Sequence, residues 1–471
     1  MKNFNKALAL LLVLIMALSL CACGSSSSST TTTDSSTTTE TTEGGDETET
    51  TEGGDETGDD TASASSDPFY VYSWNTEIGE RIDTFFKAYD EEAWSRIVYV
   101  NTGGSDTYQE KIDTLLAAPD AEDYPDLIGL EADYIKKYVS SDYTLSIDSL
   151  GFTSDDTKNM YQYTLDIPVD ERDGSVKALS WQAAPGSMMY RRSLAEKYLG
   201  TQEPEEVQEY FKDWNTLLET ARLINEKSGG ETKLFSGCDD VIRVYMAGRQ
   251  SAWVTDGKLT VDQSMLDYMD FYKTLKEEGL TNDTTQWSEA WQANCASDNT
   301  FAYMGCTWFL HWTIKANCGG EAVGEGTYGD WAMCQGPQAY YWGGTWLAAT
   351  QNCSDPALAK EIMYAICCDT DTMYNICDQT LDYVNNKEAV QKMMDDGKGA
   401  YEFLGGQDFL AVFAPLAEQV DVKTMSAYDQ NINNAWNVQV EAYANGEKDK
   451  DTALADFKAA VTDTYPDVTA E

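Results

Sequence analysis

An α/β body of two packed domains, carried on a long unfolded arm, is what this sequence predicts. Three observations lead there. Composition changes abruptly at Pro68, beyond which lie all thirteen tryptophans of the chain. The start of that body alternates strand, helix, strand, helix, strand, the pattern that builds a parallel sheet covered by helices. The body's length, about 400 residues, is enough for two hydrophobic cores and too long for one.

The chain opens with Lys2 and Lys6, followed by "ALALLLVLIMALSL" at 7–20. About fourteen apolar residues suit an export signal and fall short of the roughly 20 that a membrane-spanning helix needs. The run ends in Leu20-Cys21-Ala22-Cys23, an aliphatic residue followed by a small one and then cysteine, which resembles a bacterial lipobox. Cys23 is the expected lipidation site, since Cys21 would follow the bulky Leu20. The signal is expected over 1–22. Residues 23–67 then form the lipidated cysteine and an acidic Ser/Thr/Gly linker: from Gly24 to Asp67 there is no aromatic, no large aliphatic and no basic residue. Such a segment cannot build a core, and its like charges keep it extended. Two acyl chains at Cys23 would supply the anchoring that one cannot.

In the body, "FYVYS" (69–73), "RIVYV" (96–100) and "PDLIGL" (125–130) read as strands. Between them Ile78, Ile82, Phe85, Phe86 and Tyr89, and then Ile112, Leu115 and Leu116, recur at helical spacing. Ligands of such sheets sit beyond the carboxyl ends of the strands. That rule places Trp74 and Asn75, after the first strand, on one rim with Glu131 and Asp133, after the third. The middle of the chain is helical, over 207–227 and 263–280, with Pro204 at the entrance of the first run; tryptophans at helical spacing among leucines there are core. The short pieces "FAYMGC" (301–306), "YGDWAMC" (328–334) and "TWLAAT" (345–350) suggest strands that cross back between domains.

Charge and counting remove several functions. A net charge of −48 argues against nucleic acid or an anionic membrane face as ligand, because phosphate binding needs a basic surface. The single histidine, His311, leaves Ser-His-Asp catalysis and histidine-rich zinc sites without their parts, and it reads as a packed residue between Leu310 and Trp312. "GEGTYG" (324–329) satisfies a dinucleotide fingerprint but follows no clear strand, and Ala349 stands where a ribose-binding acid belongs. "DQNINN" (429–434) has Asn434 in place of the turn glycine of a calcium loop. Neither a cofactor nor a metal is expected. Paired carboxylates for glycoside hydrolysis stay open, because eighty acidic residues always contain some close pair. Nine cysteines lie in the body, an odd number, several of them in apolar runs such as "MYAICC", where a small buried hydrophobe is the plain reading.

What the body does have is aromatics and carboxylates at strand ends and loops: Trp74, Glu131, Asp133, Trp181, Trp308, Trp342 and Trp346. Sugars demand this mixture. The C–H face of a pyranose packs flat on an indole, while its hydroxyls need donors and acceptors fixed in the plane of the ring.

Four segments, in order along about 400 residues, resemble the family-1 extracellular solute-binding proteins, the sugar-binding subunits of ABC importers. They are "DTYQEKIDTLLAAPDAEDYPDLIGLEADYIKKY" (106–138), "LSWQAAPGSMMYRRSLAEKYLG" (179–200), "DWNTLLETARLI" (213–224) and "GGTWLAATQNCSDPALAKEIMYAI" (343–366). The chain departs from the family pattern in the extra stretch "TQEPEEVQEYFK" and in Arg191-Arg192. The resemblance implies a two-lobed periplasmic-binding-protein-like fold of type II with a ligand cleft between the lobes. The first lobe is expected over 68–184 plus 320–372, the second over 185–319 plus 373–471. Carried over residue by residue, it implies solute contacts at Trp74, Glu131, Asp133, Trp308 and Trp346, with Trp181 at the crossover, Asp240 after "LFSGC", and Tyr428 and Asn433 near the carboxyl end. It further implies an oligosaccharide ligand, permease subunits as partners, a monomer, and a location at the cell membrane, lipid-anchored on the extracellular face. Peptide and polyamine remain open as solutes. A surface glycan-degrading enzyme or lectin would use the same residue types; release of unchanged sugar separates the receptor from the enzyme.

Overall fold

A computed structural model describes residues 67–470. The expected signal, Cys23 and all but the last residue of the linker lie outside them.

Eight strands matter for the site: β1 (Phe69–Ser73), β2 (Ile97–Asn101), β3 (Leu127–Glu131), β4 (Leu179–Ser180), β5 (Ser187–Arg191), β6 (Ala302–Gly305), β7 (Trp331–Cys334) and β8 (Thr345–Ala349). Five of them make one sheet in the order β2-β1-β3-β8-β4. Within it β1 runs parallel to β2 and β3, with Phe69 opposite Ile97 and Val71 opposite Leu127, while β8 is antiparallel to β3 and pairs Thr345 with Glu131. The second sheet is antiparallel, in the order β6-β5-β7, and sets Met188 against both Met304 and Cys334.

The expected β1-helix-β2-helix-β3 start is present. Its first helix carries a π-turn, Ile82–Phe86, between Glu77–Arg81 and Lys87–Tyr89, and this added residue turns both Phe85 and Phe86 into the core. Ser105–Leu116 buries Tyr108, Ile112, Leu115 and Leu116. In the middle, the expected helix over 207–227 is two: a short Pro204–Gln208 turn, then Trp214–Lys227, which begins where the Asp213 side chain caps Thr216 N–H. Arg191 and Arg192, the departures from the family pattern, serve the interior. Arg191 bonds Asp330 and Asp298 at 2.8 and 2.9 Å, and Arg192 bonds the Trp331 carbonyl at 3.1 Å.

Between the sheets the chain crosses at 181–186 and again at 335–344. The crossings pair with each other: Gly186 N–H donates to Tyr340 O at 2.7 Å and Trp342 N–H to Ala184 O at 3.0 Å. One expectation needs correcting here. The whole of 320–372 is expected in the first lobe, but β7 at 331–334 pairs with β5 in the second sheet, so the return crossing falls after it. The sequence "WAMC" is buried along its length, and a strand buried on both faces carries no mark of which sheet it joins.

All nine body cysteines are free thiols, and eight are buried. Burial pushes the Cys238 thiol up to about 11, as expected of cysteines used as small hydrophobes. His311 bonds Leu381 O at 3.0 Å and faces Tyr401 OH, and burial pushes its pKa down to about 4, so it is neutral and structural. Its expected neighbour Trp312 instead points outward, 72% exposed. Among the described residues no helix is long and apolar enough to cross a membrane.

Candidate functional site

The carboxyl ends of β1 and β3 open onto a cleft with two chambers. The first, about 510 Å³, is aromatic: Trp74 follows β1, Trp308 and Trp312 come from the helical turns after β6, and Trp342 comes from the second crossing. Its polar lining is Glu131 at the end of β3, Glu77 and Arg81 on the helix after β1, and Gln182 on the first crossing. The second chamber, about 310 Å³, is polar, with Asp133, Arg243, Arg249, Tyr341 and Asn433 in its wall.

Local structure fixes the indoles. Trp74 stands edge-on to Tyr108 and Tyr134, at 5.7 and 5.9 Å between centroids. Trp308 donates its indole N–H to Trp342 O at 2.9 Å and meets the Trp342 ring edge-on at 5.2 Å. Their approach depends on Gly343, whose φ of 68° favours glycine and where a Cβ would come within 3.2 Å of Trp308 Nε1 and 3.4 Å of Glu131 Oε1. Trp308 and Trp312 flank the start of a π-turn, Leu310–Ile314, that buries Leu310, Thr313 and Ile314 and leaves Trp312 facing outward.

The carboxylates have divided environments. Burial and the nearby Asp133 charge push Glu131 up to about 8. Burial and Asp382 push Glu77 up to about 8 as well, against the pull of Arg81. Asp133 goes the other way: burial works to raise it, but the Arg243 guanidinium, bonded to both its oxygens, outweighs that and holds it below the usual carboxylate range. This ion pair joins the loop after β3 to the helix Ile242–Ala247. Its partners keep 40% and 37% of their side-chain surface open, so they lie deep between the walls yet face free space. Arg243 also sits 5.5 Å over the Trp342 ring, which makes the pair the partition between the chambers.

The structure brings Trp74, Glu131 and Trp308 together in the aromatic chamber, and Asp133 and Asn433 in the polar one. Four expected contacts need correcting. Trp181 and Trp346 are 0% and 1% exposed, with indole N–H groups spent on Asp382 and on Thr164 O, so neither has a face to offer a solute. Asp240 is 3% exposed and accepts from Trp291 Nε1 at 2.8 Å and Gly237 N–H at 3.0 Å, a structural carboxylate pushed up to about 7 by burial. Tyr428 precedes the helix Asp429–Ala444 and packs edge-on against Tyr465, in the wall of neither chamber.

Trp342 stood among the rim aromatics by composition, but the glycine-rich return pointed to Trp346. The chain turns at Gly343 and Gly344, so the residue before the glycines faces the cleft and the second residue of β8 faces the core. Arg243, Glu77 and Trp287 carried no sequence signal. Trp287 lies 45% exposed with φ 70°, uncommon for a bulky residue, and its ring stacks at 6.2 Å on Trp308. Strain of this kind concentrates at ligand clamps.

Over residues 80–402 the sequence matches the family of bacterial extracellular solute-binding proteins. The chain belongs to that family. No curated protein matches it by sequence. Among solved structures, this solute-binding protein is similar to an extracellular solute-binding protein of family 1, with TM-score 0.72 and 18% identity over 84% of this chain and 99% of the other. It is similar to an ABC transporter associated binding protein from B. animalis subsp. lactis, solved with beta-1,6-galactobiose, with TM-score 0.63 and 16% identity over 86% and 99%. A third is the galacto-N-biose-/lacto-N-biose I-binding protein of Bifidobacterium longum, solved with lacto-N-biose, with TM-score 0.64 and 14% identity over 86% and 98%. The fold of the solute-binding protein is thus the two-lobed periplasmic-binding-protein-like one, and its two sheets are the hearts of the lobes.

Proposed function

We propose that this solute-binding protein is the lipid-anchored receptor of a carbohydrate ABC importer, capturing an oligosaccharide outside the cell and delivering it to a membrane permease. The observation that carries the reading is the aromatic chamber: four indoles around fixed carboxylates and amides, of a volume in the range of small-molecule sites, at the strand ends. The sugars in the two structures named above support it, as does the lipobox-like Cys23 ahead of an acidic Ser/Thr/Gly segment, a tether that would raise the receptor's concentration near its permease. Trp74, Trp308 and Trp342 would stack on sugar rings, with Glu131 and Gln182 bonding hydroxyls. Closure of the lobes about the paired crossings would then present one shape to the permease. The protein would act as a monomer at the extracellular face, without catalysis.

Calorimetry against a panel of oligosaccharides tests this. Saturable binding is expected to one linkage class, with the sugar recovered unchanged and Trp308→Ala weakening it by about 2 kcal/mol, roughly 30-fold. Cleavage of any member would make the protein an enzyme instead, and silence across the panel would move it to another solute class. Palmitate labelling lost in Cys23→Ala tests the anchor.

A further inference from the structure

The aromatic chamber holds more carboxylate than cation. Glu77 and Asp382 share one guanidinium, Arg81, at 3.7 and 3.3 Å. Trp181 Nε1 donates to Asp382 at 3.3 Å and Gln182 Nε2 reaches both Glu77 and Asp382, at 2.7 and 3.0 Å, but these donors are neutral, so the one positive charge of Arg81 faces two carboxyls. Glu131 accepts the Asp133 N–H at 2.7 Å. The nearest guanidinium to it, Arg243, is committed to Asp133 through both terminal nitrogens and lines the other chamber. Trp74, Trp308, Trp312 and Trp342 make up the walls, and the faces of indoles attract cations and repel anions.

A neutral solute closing over this chamber would strip water from Glu77 and Glu131 and return only hydrogen bonds, so both would have to keep a proton or stay as buried charge short of cation. An anionic solute would add to the repulsion. A cation resolves both. Resting on the carbohydrate-receptor reading, we propose that the solute bears an ammonium group: a carbohydrate with a free ring amine, the amine held in the aromatic chamber by Glu131 and Glu77 and flanked by indole faces. In the empty chamber protons do the same neutralising work, because burial and neighbouring carboxylates raise both glutamates to about 8. Binding at pH 7 therefore exchanges glutamate-bound protons for the ammonium and releases them to buffer, with no bond made or broken on the sugar.

Trimers that differ only in the 2-substituent test this: amine, hydroxyl and N-acetyl forms, in gluco and galacto configuration. They are titrated into the full chain by calorimetry in two buffers of different ionisation enthalpy, with spermidine as a non-sugar amine. The amine form is expected to bind at least about tenfold tighter than its hydroxyl twin, to release one to two protons per ligand, and to lose much of that margin in 0.5 M salt. Glu131→Gln is expected to narrow the amine-to-hydroxyl ratio, with the circular dichroism spectrum showing that the variant folds. Equal or tighter binding of the hydroxyl or N-acetyl form, without proton release, overturns the ammonium and leaves the sugar receptor standing. Binding of spermidine with every trimer silent overturns the sugar receptor itself, and silence of all of them overturns both.

Discussion

Glu131 ends a buried strand, and its carboxyl is held up at about 8 by burial and by Asp133. A carboxyl whose folded pKa exceeds its unfolded value of about 4.3 contributes stability that is full below pH 4.3 and lost as pH rises toward 8. Glu77 acts in the same window. The ligand-free protein is therefore expected to lose melting temperature between pH 5 and pH 8, and Glu131→Gln to lose less over that interval. Scanning calorimetry at the two pH values checks it, and an unchanged slope would show that Glu131 is ionised in the empty cleft. Trp346 makes the opposite kind of residue. With its ring in the core and its N–H on Thr164 O, Trp346→Ala is expected to cost about 3–5 kcal/mol of stability by chemical denaturation while the folded fraction keeps its affinity for solute. Composition alone could not separate Trp346 from Trp308: both follow a threonine, in "GGTW" and "GCTW". What separates them is which face of the backbone meets the cleft.

At the level of elements the sequence was most legible where periodicity and chain punctuation coincide. The strand "FYVYS" begins and ends at its expected residues, the helix from Gln263 begins where expected and ends at Glu277, three residues short, and the helix Ser105–Leu116 carries the expected Ile112, Leu115 and Leu116. Asp262 shows why. Its carboxylate caps Met265 N–H at 3.2 Å and accepts Gln250 N–H at 2.7 Å, fixing both the helix start and the loop before it. Asp262→Ala is accordingly expected to cost about 2 kcal/mol, at the upper end for a cap, read as a shift in urea midpoint at unchanged slope. The π-turns at Ile82–Phe86 and Leu310–Ile314 were not legible. Each advances a helix by one residue to suit its packing, and a run of apolar residues looks the same with or without the step. Both flank the aromatic chamber, whose Arg81, Trp308 and Trp312 they help aim.

Over the whole molecule, the Asp133–Arg243 pair joins a loop of the first sheet to a helix placed between β5 and β6 of the second. Breaking it should weaken contact between the lobes. Ligand-free Arg243→Ala is expected to show a larger radius of gyration by small-angle scattering than the parent, and saturating solute to reduce the difference. An identical radius in both would assign the pair to solute contact alone. The sequence by itself determined the α/β alternation, the acidic Ser/Thr/Gly composition ahead of the body, the family, and the residue types a sugar needs, because these follow from local patterns and composition. Tertiary structure decided which sheet β7 joins, which tryptophans are wall and which are core, and that Arg243 divides the cleft. Those outcomes depend on contacts between residues more than a hundred positions apart, such as Arg243 with Asp133, and no local pattern of side chains records them.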